Sequence, residues 1–164
     1  MPVISGDTQR VIEGAYFENL GCSLMIERSG NQIRRIFFSD ERPLKKSQLA
    51  AEIIKHVIEG GPCPNADLDL SGFSEFRKKV SWAAMNIPRG KTMTYGEMAA
   101  LLSHPGAARA VGQVMATNPF AIIVPCHRVV AKQGLGGYFW GRKIKEELLA
   151  AEAKNPFAAE SWNP

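Results

Sequence analysis

The chain has 164 residues, 45% of them hydrophobic, and a formal net charge of +4. That length suits one full domain, or a small one joined to a medium one, and the mild basic excess permits a nucleic-acid partner without requiring one. No run reaches the roughly 20 apolar residues of a membrane span, and "MPVISGDTQR" lacks the apolar core of a signal peptide, so a soluble, cytoplasmic protein is expected.

In chain order, residues 1–62 read as a small α+β unit. "CSLMIE" and "QIRRIFF" are β-prone runs joined across Arg28-Ser29-Gly30-Asn31, a hairpin signal. "SQLAAEIIKHVIE" carries Leu49, Ile53 and Val57 at helical spacing and stops at Gly60-Gly61. His56 borders that stripe and reads as structural. "GGPCPNADLDLSG", rich in Gly, Pro and Asp, reads as a linker centred on residues 63–71.

From residue 72 the pattern is helical. "FSEFRKKVSWAAMNIPRG" places Phe73, Phe76, Val80 and Ala83 on one face and ends at Ile87-Pro88. In "TYGEMAALL", Thr94 and Glu97 make a capping box, and Tyr95, Met98, Ala99 and Leu102 share a face. After "SHPG", the segment "AARAVGQVMATN" turns Ala107, Ala110, Val111 and Val114 inward and Ala108, Arg109, Gly112 and Ala116 outward. Small outward residues let a backbone come close to another surface, and Arg109 stands out from them. Two short helices across a tight turn make either a helix-turn-helix or an ordinary helical hairpin; the pattern leaves both open.

The cysteines are Cys22, Cys63 and Cys126. An odd number at wide spacing argues against a disulfide framework. There is no CxxC pair, and His56, His104 and His127 do not fall at zinc-finger spacing. A zinc site from Cys22, Cys63 and His56 stays open in principle, although Cys22 in "GCSLMIE" reads as a small buried hydrophobe. Cys126 differs. "AIIV", Ala121 to Val124, reads as a short buried strand ended by Pro125, which cannot donate to a ladder. Cys126 then sits at a strand end, where a side chain opens on a cleft.

A free thiol with a pKa of about 8.5 is mostly protonated at neutral pH. A neighbouring imidazole can take its proton, and a carboxylate can hold the imidazole in the correct tautomer. His127 is adjacent. In "GRKIKEELLAAEAK", Ile144, Leu148 and Ala151 mark the inward stripe. Glu152 lies on its edge, with Lys145 near the same side, while Glu146 and Glu147 read as solvated. An inward glutamate needs a partner, and His127 is a candidate.

"IIVPCHRVV" preceded by "NP", with "TYGEMA" and "AARAVG" upstream and "GGY" downstream, closely resembles the O6-alkylguanine-DNA alkyltransferases, in order from about Phe73 to Glu152. The first 60 residues share only a strand-strand-helix plan. The resemblance implies an α+β protein. A small N-terminal antiparallel-sheet domain, ribonuclease H-like, spans 1–62, and a linker 63–71. A mainly helical domain with a helix-turn-helix spans 72–154, and a tail 155–164.

The same resemblance implies irreversible transfer of an alkyl group from O6 of guanine in double-stranded DNA to Cys126. His127 is then the base, acting through a water, and Glu152 its orienter. Asn118 is the hinge tying the helix-turn-helix to the active-site segment. Tyr95 helps rotate the nucleotide and protonates the departing guanine. Arg109 fills the stack when the base flips out. Ala108, Gly112 and Ala116 allow close approach in the minor groove, where sequence readout is degenerate, and Thr94 and Arg128 join them as DNA-binding residues. The pocket is formed by Ala121, Val129, Tyr138, Phe139 and Trp140. Backbone groups of Cys126 and Val129 read the base edge, and Tyr138 and the Phe139 amide face O6. A monomer with no cofactor and no membrane partner is implied. The family's zinc ligands do not map onto this chain, so no metal is expected.

Three pocket positions depart from the family. Phe139 and Trp140 stand where small residues are common, and Ala121 where proline is frequent. Trp140 is expected to narrow the pocket mouth or shift the loop after Tyr138. The rival readings are a non-catalytic helix-turn-helix protein that senses lesions or regulates transcription, and a Cys-His hydrolase, for which the sequence offers no independent oxyanion feature.

Overall fold

Three β-prone runs form the first layer of the protein, whose computed structural model describes residues 9–156. The readings of the N-terminal decapeptide and of the tail fall largely outside those residues. β1 (Arg10–Phe17), β2 (Cys22–Ser29) and β3 (Gln32–Ser39) make an antiparallel sheet in the order β1-β2-β3. Glu13 lies opposite Ile26, and Ile26 opposite Ile36. The hairpin turn falls where expected, with Gly30 at φ 60°. β1 was not anticipated, because Glu13 and Gly14 interrupt its apolar character. Glu13 is buried all the same, since it has partners: Ser47 Oγ donates to it at 3.0 Å, and Arg28 and Lys45 lie 3.3 and 3.5 Å away.

α1 (Gln48–Glu59) buries Ala50, Ile53, Ile54 and Val57. It starts at Ser47, whose side chain accepts from the Ala50 amide, and ends at Gly60 with φ 82°, a value that favours glycine.

The outer edge of β3 is covered rather than left open. Ile33 exchanges backbone hydrogen bonds with Asp67 and Asp69 at 2.7 and 2.8 Å, so the segment read as a linker runs extended along the strand. Farther on, the Ile36 amide donates to Pro119 O at 2.8 Å and the Ala121 amide donates to Ile36 O at 2.9 Å. The sheet edge therefore grips the segment that leads to Cys126.

The rest is helical: α2 (Glu75–Met85), α3 (Tyr95–Leu101), α4 (Ala108–Ala116) and α5 (Arg142–Lys154). The capping box at Thr94 and Glu97 is formed as expected. Immediately before α3, β4 (Met93–Thr94) pairs in parallel with β5 (Val129–Val130). In α4 the buried residues are Val111 and Met115, while Ala110 is exposed, so the inward stripe is turned from the predicted one toward the longer side chain. Buried apolar residues run without a break from the sheet to Leu148 of α5.

Arg89, unremarked in the sequence, ties two helix ends together. Its guanidinium donates to His56 O (2.8 Å) and Val57 O (2.6 Å) of α1, and to Ala151 O (3.2 Å) and Asn155 O (2.6 Å) at the end of α5. Free carbonyls at helix C-termini attract a cation, and here one buried arginine serves both.

Candidate active site

"AIIV" is buried but is not a strand. Three consecutive tight hydrogen bonds fold it. Val124 N donates to Phe120 O, Ile123 N to Ala121 O and Cys126 N to Val124 O, at 3.0, 2.9 and 2.8 Å. The middle bond puts Ile122 at φ 70°, a strained position for a β-branched residue that costs about 1–3 kcal/mol. Pro125 sits at φ −79°, ψ 65°, the geometry of an inverse γ-turn, which its ring favours. The proline thus serves by its fixed φ, and the correction to the predicted strand follows from that turn. β-branched residues fit either conformation, and only the bonds to Ile36 and Phe120 decide between them.

Asn118 staples the turn from inside. Its Nδ2 donates to Val124 O (2.9 Å), Phe120 O (3.3 Å) and the Cys126 Sγ (3.1 Å), and its Oδ1 accepts from the Phe120 amide (3.0 Å). It follows α4 directly, whose last turn is held by Arg77 of α2 donating to Thr117 O. One side chain thus links the end of α4, the turn and the sulfur.

Cys126, His127 and Arg128 form a short 3-10 turn, and all three are buried. His127 Nε2 lies 2.8 Å from Glu152 Oε1. That contact places the ring proton on Nε2, leaving Nδ1 as the basic nitrogen, and Nδ1 is buried with no protein hydrogen-bond partner. Burial holds His127 below its ordinary pKa, against the pull of Glu152. Burial disfavours ionised Glu152, but hydrogen bonds and charge from His127 and Arg128 outweigh it and keep the carboxyl well below its usual range. The Cys126 thiol is raised by burial, and the Asn118 hydrogen bond, the nearby Tyr138 hydroxyl and the Lys145 charge act in the opposite sense.

Arg128, expected at the DNA, is turned inward. It donates to both oxygens of Glu152 (2.8–3.2 Å) and to Ile87 O (2.7 Å). A buried carboxylate needs such a partner, and its approach from α5 could not be read from local sequence.

Tyr95 opens α3, half-buried, between two glycines. A Cβ on Gly112 of α4 would come within 3.8 Å of its ring, and one on Gly136 would lie 2.9 Å from its hydroxyl. Gly112 therefore faces Tyr95 instead of projecting outward. Burial, then the Cys126 charge, raises the Tyr95 pKa, so it stays a proton donor. The Tyr138 hydroxyl is buried without a completed hydrogen bond and lies against the sulfur. Trp140 stacks edge-on against Phe38 of β3 (5.6 Å) and Tyr138 (5.5 Å), anchoring the loop to the sheet, while Phe139 is 73% exposed.

Of the remaining expected residues, Arg109 and Ala116 are exposed and Ala108 is half-buried, on α4. Thr94 is occupied by its capping box. Val129 and Ala121 are fully buried, and Val129 O accepts from Lys145. A cleft of about 400 Å³ lies on the reverse of the turn, lined by Cys63, Met85, Arg89, Ile122 and Pro125; Cys126 and Tyr138 do not line it. Among the described residues, no group of three or more His, Cys, Asp or Glu side chains is arranged to hold a metal, and no helix is long and apolar enough to cross a membrane.

A buried thiol, bonded by an amide and followed by an imidazole–carboxylate pair on a mixed α/β frame, is the arrangement a nucleophilic cysteine requires. Comparison with known proteins narrows this. Residues 75–154 match the family described as 6-O-methylguanine DNA methyltransferase, DNA binding domain. A methylated-DNA–protein-cysteine methyltransferase of Thermococcus barophilus is 39% identical over 152 residues, covering 86% of this chain and 83% of that one. One from Mycolicibacterium paratuberculosis is 50% identical over 90 residues, 54% of each chain, so the match spans about half of that relative's length. The crystal structure of the Mycobacterium tuberculosis OGT in complex with DNA is 31% identical, with a TM-score of 0.75 over 87% of this chain and 93% of that one. The chain belongs to the methylated-DNA–protein-cysteine methyltransferase family.

Proposed function

We propose that this protein repairs DNA by taking an alkyl group, methyl above all, from O6 of guanine onto Cys126, irreversibly and once per molecule. The observation that carries the reading is the Cys126 sulfur itself, held by Asn118 beside a neutral His127 that Glu152 orients. The thiol proton passes through a water to His127 Nδ1. The sulfur then attacks the alkyl carbon, the S–C bond forms as C–O6 breaks, and the electron pair leaves with guanine, which is protonated by Tyr95. The transfer uses no cofactor.

In this reading residues 1–62 are a ribonuclease H-like unit, 63–71 connect it, 72–154 bind DNA and carry the acceptor, and 155–164 are a tail. α3 and α4 act as a helix-turn-helix that lies in the minor groove. The exposed Arg109 enters the stack as the base flips out, and Ala108 and Ala116 let α4 approach the backbone. Tyr138 and the Phe139 amide face O6, with Ala121 and Val129 behind them. The protein works as a monomer on chromosomal DNA in the cytoplasm. The relative solved in complex with DNA supports a DNA partner.

The test is intact-mass measurement after mixing with duplex DNA bearing one O6-methylguanine. One added methyl per chain, mapped to Cys126 and absent in Cys126→Ala, is the expected result. Tight binding to that DNA with no mass change would overturn the reading.

A further inference from the structure

Lys145 is one of the most buried side chains in the protein, with none of its surface exposed. It comes from the second turn of α5, and its Nζ donates to Val129 O at 2.8 Å and Gly137 O at 3.1 Å. Those carbonyls sit on either side of the site: Val129 leaves the Cys126 turn, and Gly137 precedes Tyr138, whose ring centre is 5.9 Å from Nζ. No carboxylate pairs with it among the described residues. Glu152, about two helical turns farther along α5, is committed to His127 and Arg128. The remaining ionisable groups around it are Cys126, the neutral His127 and Tyr138. A buried ammonium with only neutral carbonyls for company is costly, and the sulfur is the one group there that can supply a negative charge.

We propose that Lys145 is the positioning cation for the Cys126 thiolate: fixed by the carbonyls of Val129 and Gly137, it supplies the positive charge against which the sulfur ionises. The inference rests on the reading of Cys126 as the alkyl acceptor. Burial lowers the Lys145 amine to about 8, and the Cys126 charge acts against that lowering. The ion pair exists only before transfer, because the sulfur then becomes a neutral thioether and Lys145 keeps its proton without a counter-charge.

The test reads the thiolate without DNA. The rate of Cys126 carbamidomethylation by iodoacetamide, followed by peptide mass across pH, gives the ionisation midpoint. In Lys145→Met and in Lys145→Gln, which keeps a donor but no charge, the midpoint should rise by about 1–2 pH units, with the limiting rate at high pH unchanged. Lys145→Arg should restore much of the shift. An unchanged midpoint in folded Lys145→Gln overturns the proposal and leaves Lys145 as a neutral cross-link between two carbonyls. The unmutated protein gives a second measurement that stands even if the variants unfold. Carbamidomethylation of Cys126 should lower the titration midpoint of the Lys145 amine, read by NMR with labelled lysine, and an unmoved midpoint overturns the proposal. A normal thiolate shift with no methyl transfer from DNA would instead sink the proposed function alone.

Discussion

His127 is kept uncharged by its surroundings, and this makes a pH-dependent prediction. Its folded pKa is depressed by burial, so the unfolded chain takes up a proton that the folded one refuses. The stability from the neutral ring is fully present above about pH 6.5, the unfolded value, and is lost as the pH falls below it. Glu152, also depressed, acts in the same direction at lower pH. Denaturant midpoints should therefore decline as the pH falls below about 6.5 in the native protein, but far less in His127→Asn; parallel curves would mean that the ring is already charged when folded. Glu152→Gln has two separable effects. It removes the orienter of His127, slowing alkyl transfer by about 10²–10⁴-fold. It also strands Arg128, which bonds both carboxylate oxygens, so stability should fall by about 3–5 kcal/mol. Loss of stability with an undiminished single-turnover rate would remove Glu152 from the reaction while keeping it in the fold.

At the scale of elements, α1 and α5 end on the same guanidinium. Arg89→Met would take a donor from four carbonyls at two helix ends, of which His56 O keeps the Gly60 amide. Stability should drop by about 1–3 kcal/mol, and α5 should shift enough to loosen Glu152, the neighbour of Ala151. Hydrogen exchange confined to the last turns of both helices is the expected signature, and exchange elsewhere would count against it. The elements legible in the sequence were those with local causes: the capping box at Thr94, the Gly30 turn, and α1 with its apolar stripe and glycine stop. The contact between His127 and Glu152 was legible because an inward glutamate on α5 needed a partner. What stayed hidden depends on distant partners. Arg128 and Glu152 meet across 24 residues, Arg89 reaches 66 residues to Asn155, and β1 carries a buried Glu13 that only Ser47, Arg28 and Lys45 make tolerable. "AIIV" has the composition of a strand and becomes a double turn because Ile36 holds its start and Asn118 its interior.

For the whole molecule, the sheet and the helical half meet at the active-site segment. Ala121 donates its amide to Ile36 O, a bond that proline cannot make. Ala121→Pro should therefore cost about 1–3 kcal/mol and speed exchange of the Ile36 amide, which donates to Pro119 in the same junction; an unchanged denaturation curve would show that the bond contributes nothing. This junction is made by main chain alone, between Ile36, Pro119 and Ala121. It asks of β3 only a direction and a length, never a particular side chain. A tether of that kind is indifferent to what the sheet is made of. At this contact β3 can therefore change its side chains while the segment leading to Cys126 stays in place. The family match over residues 75–154 includes the segment that this main-chain tether holds.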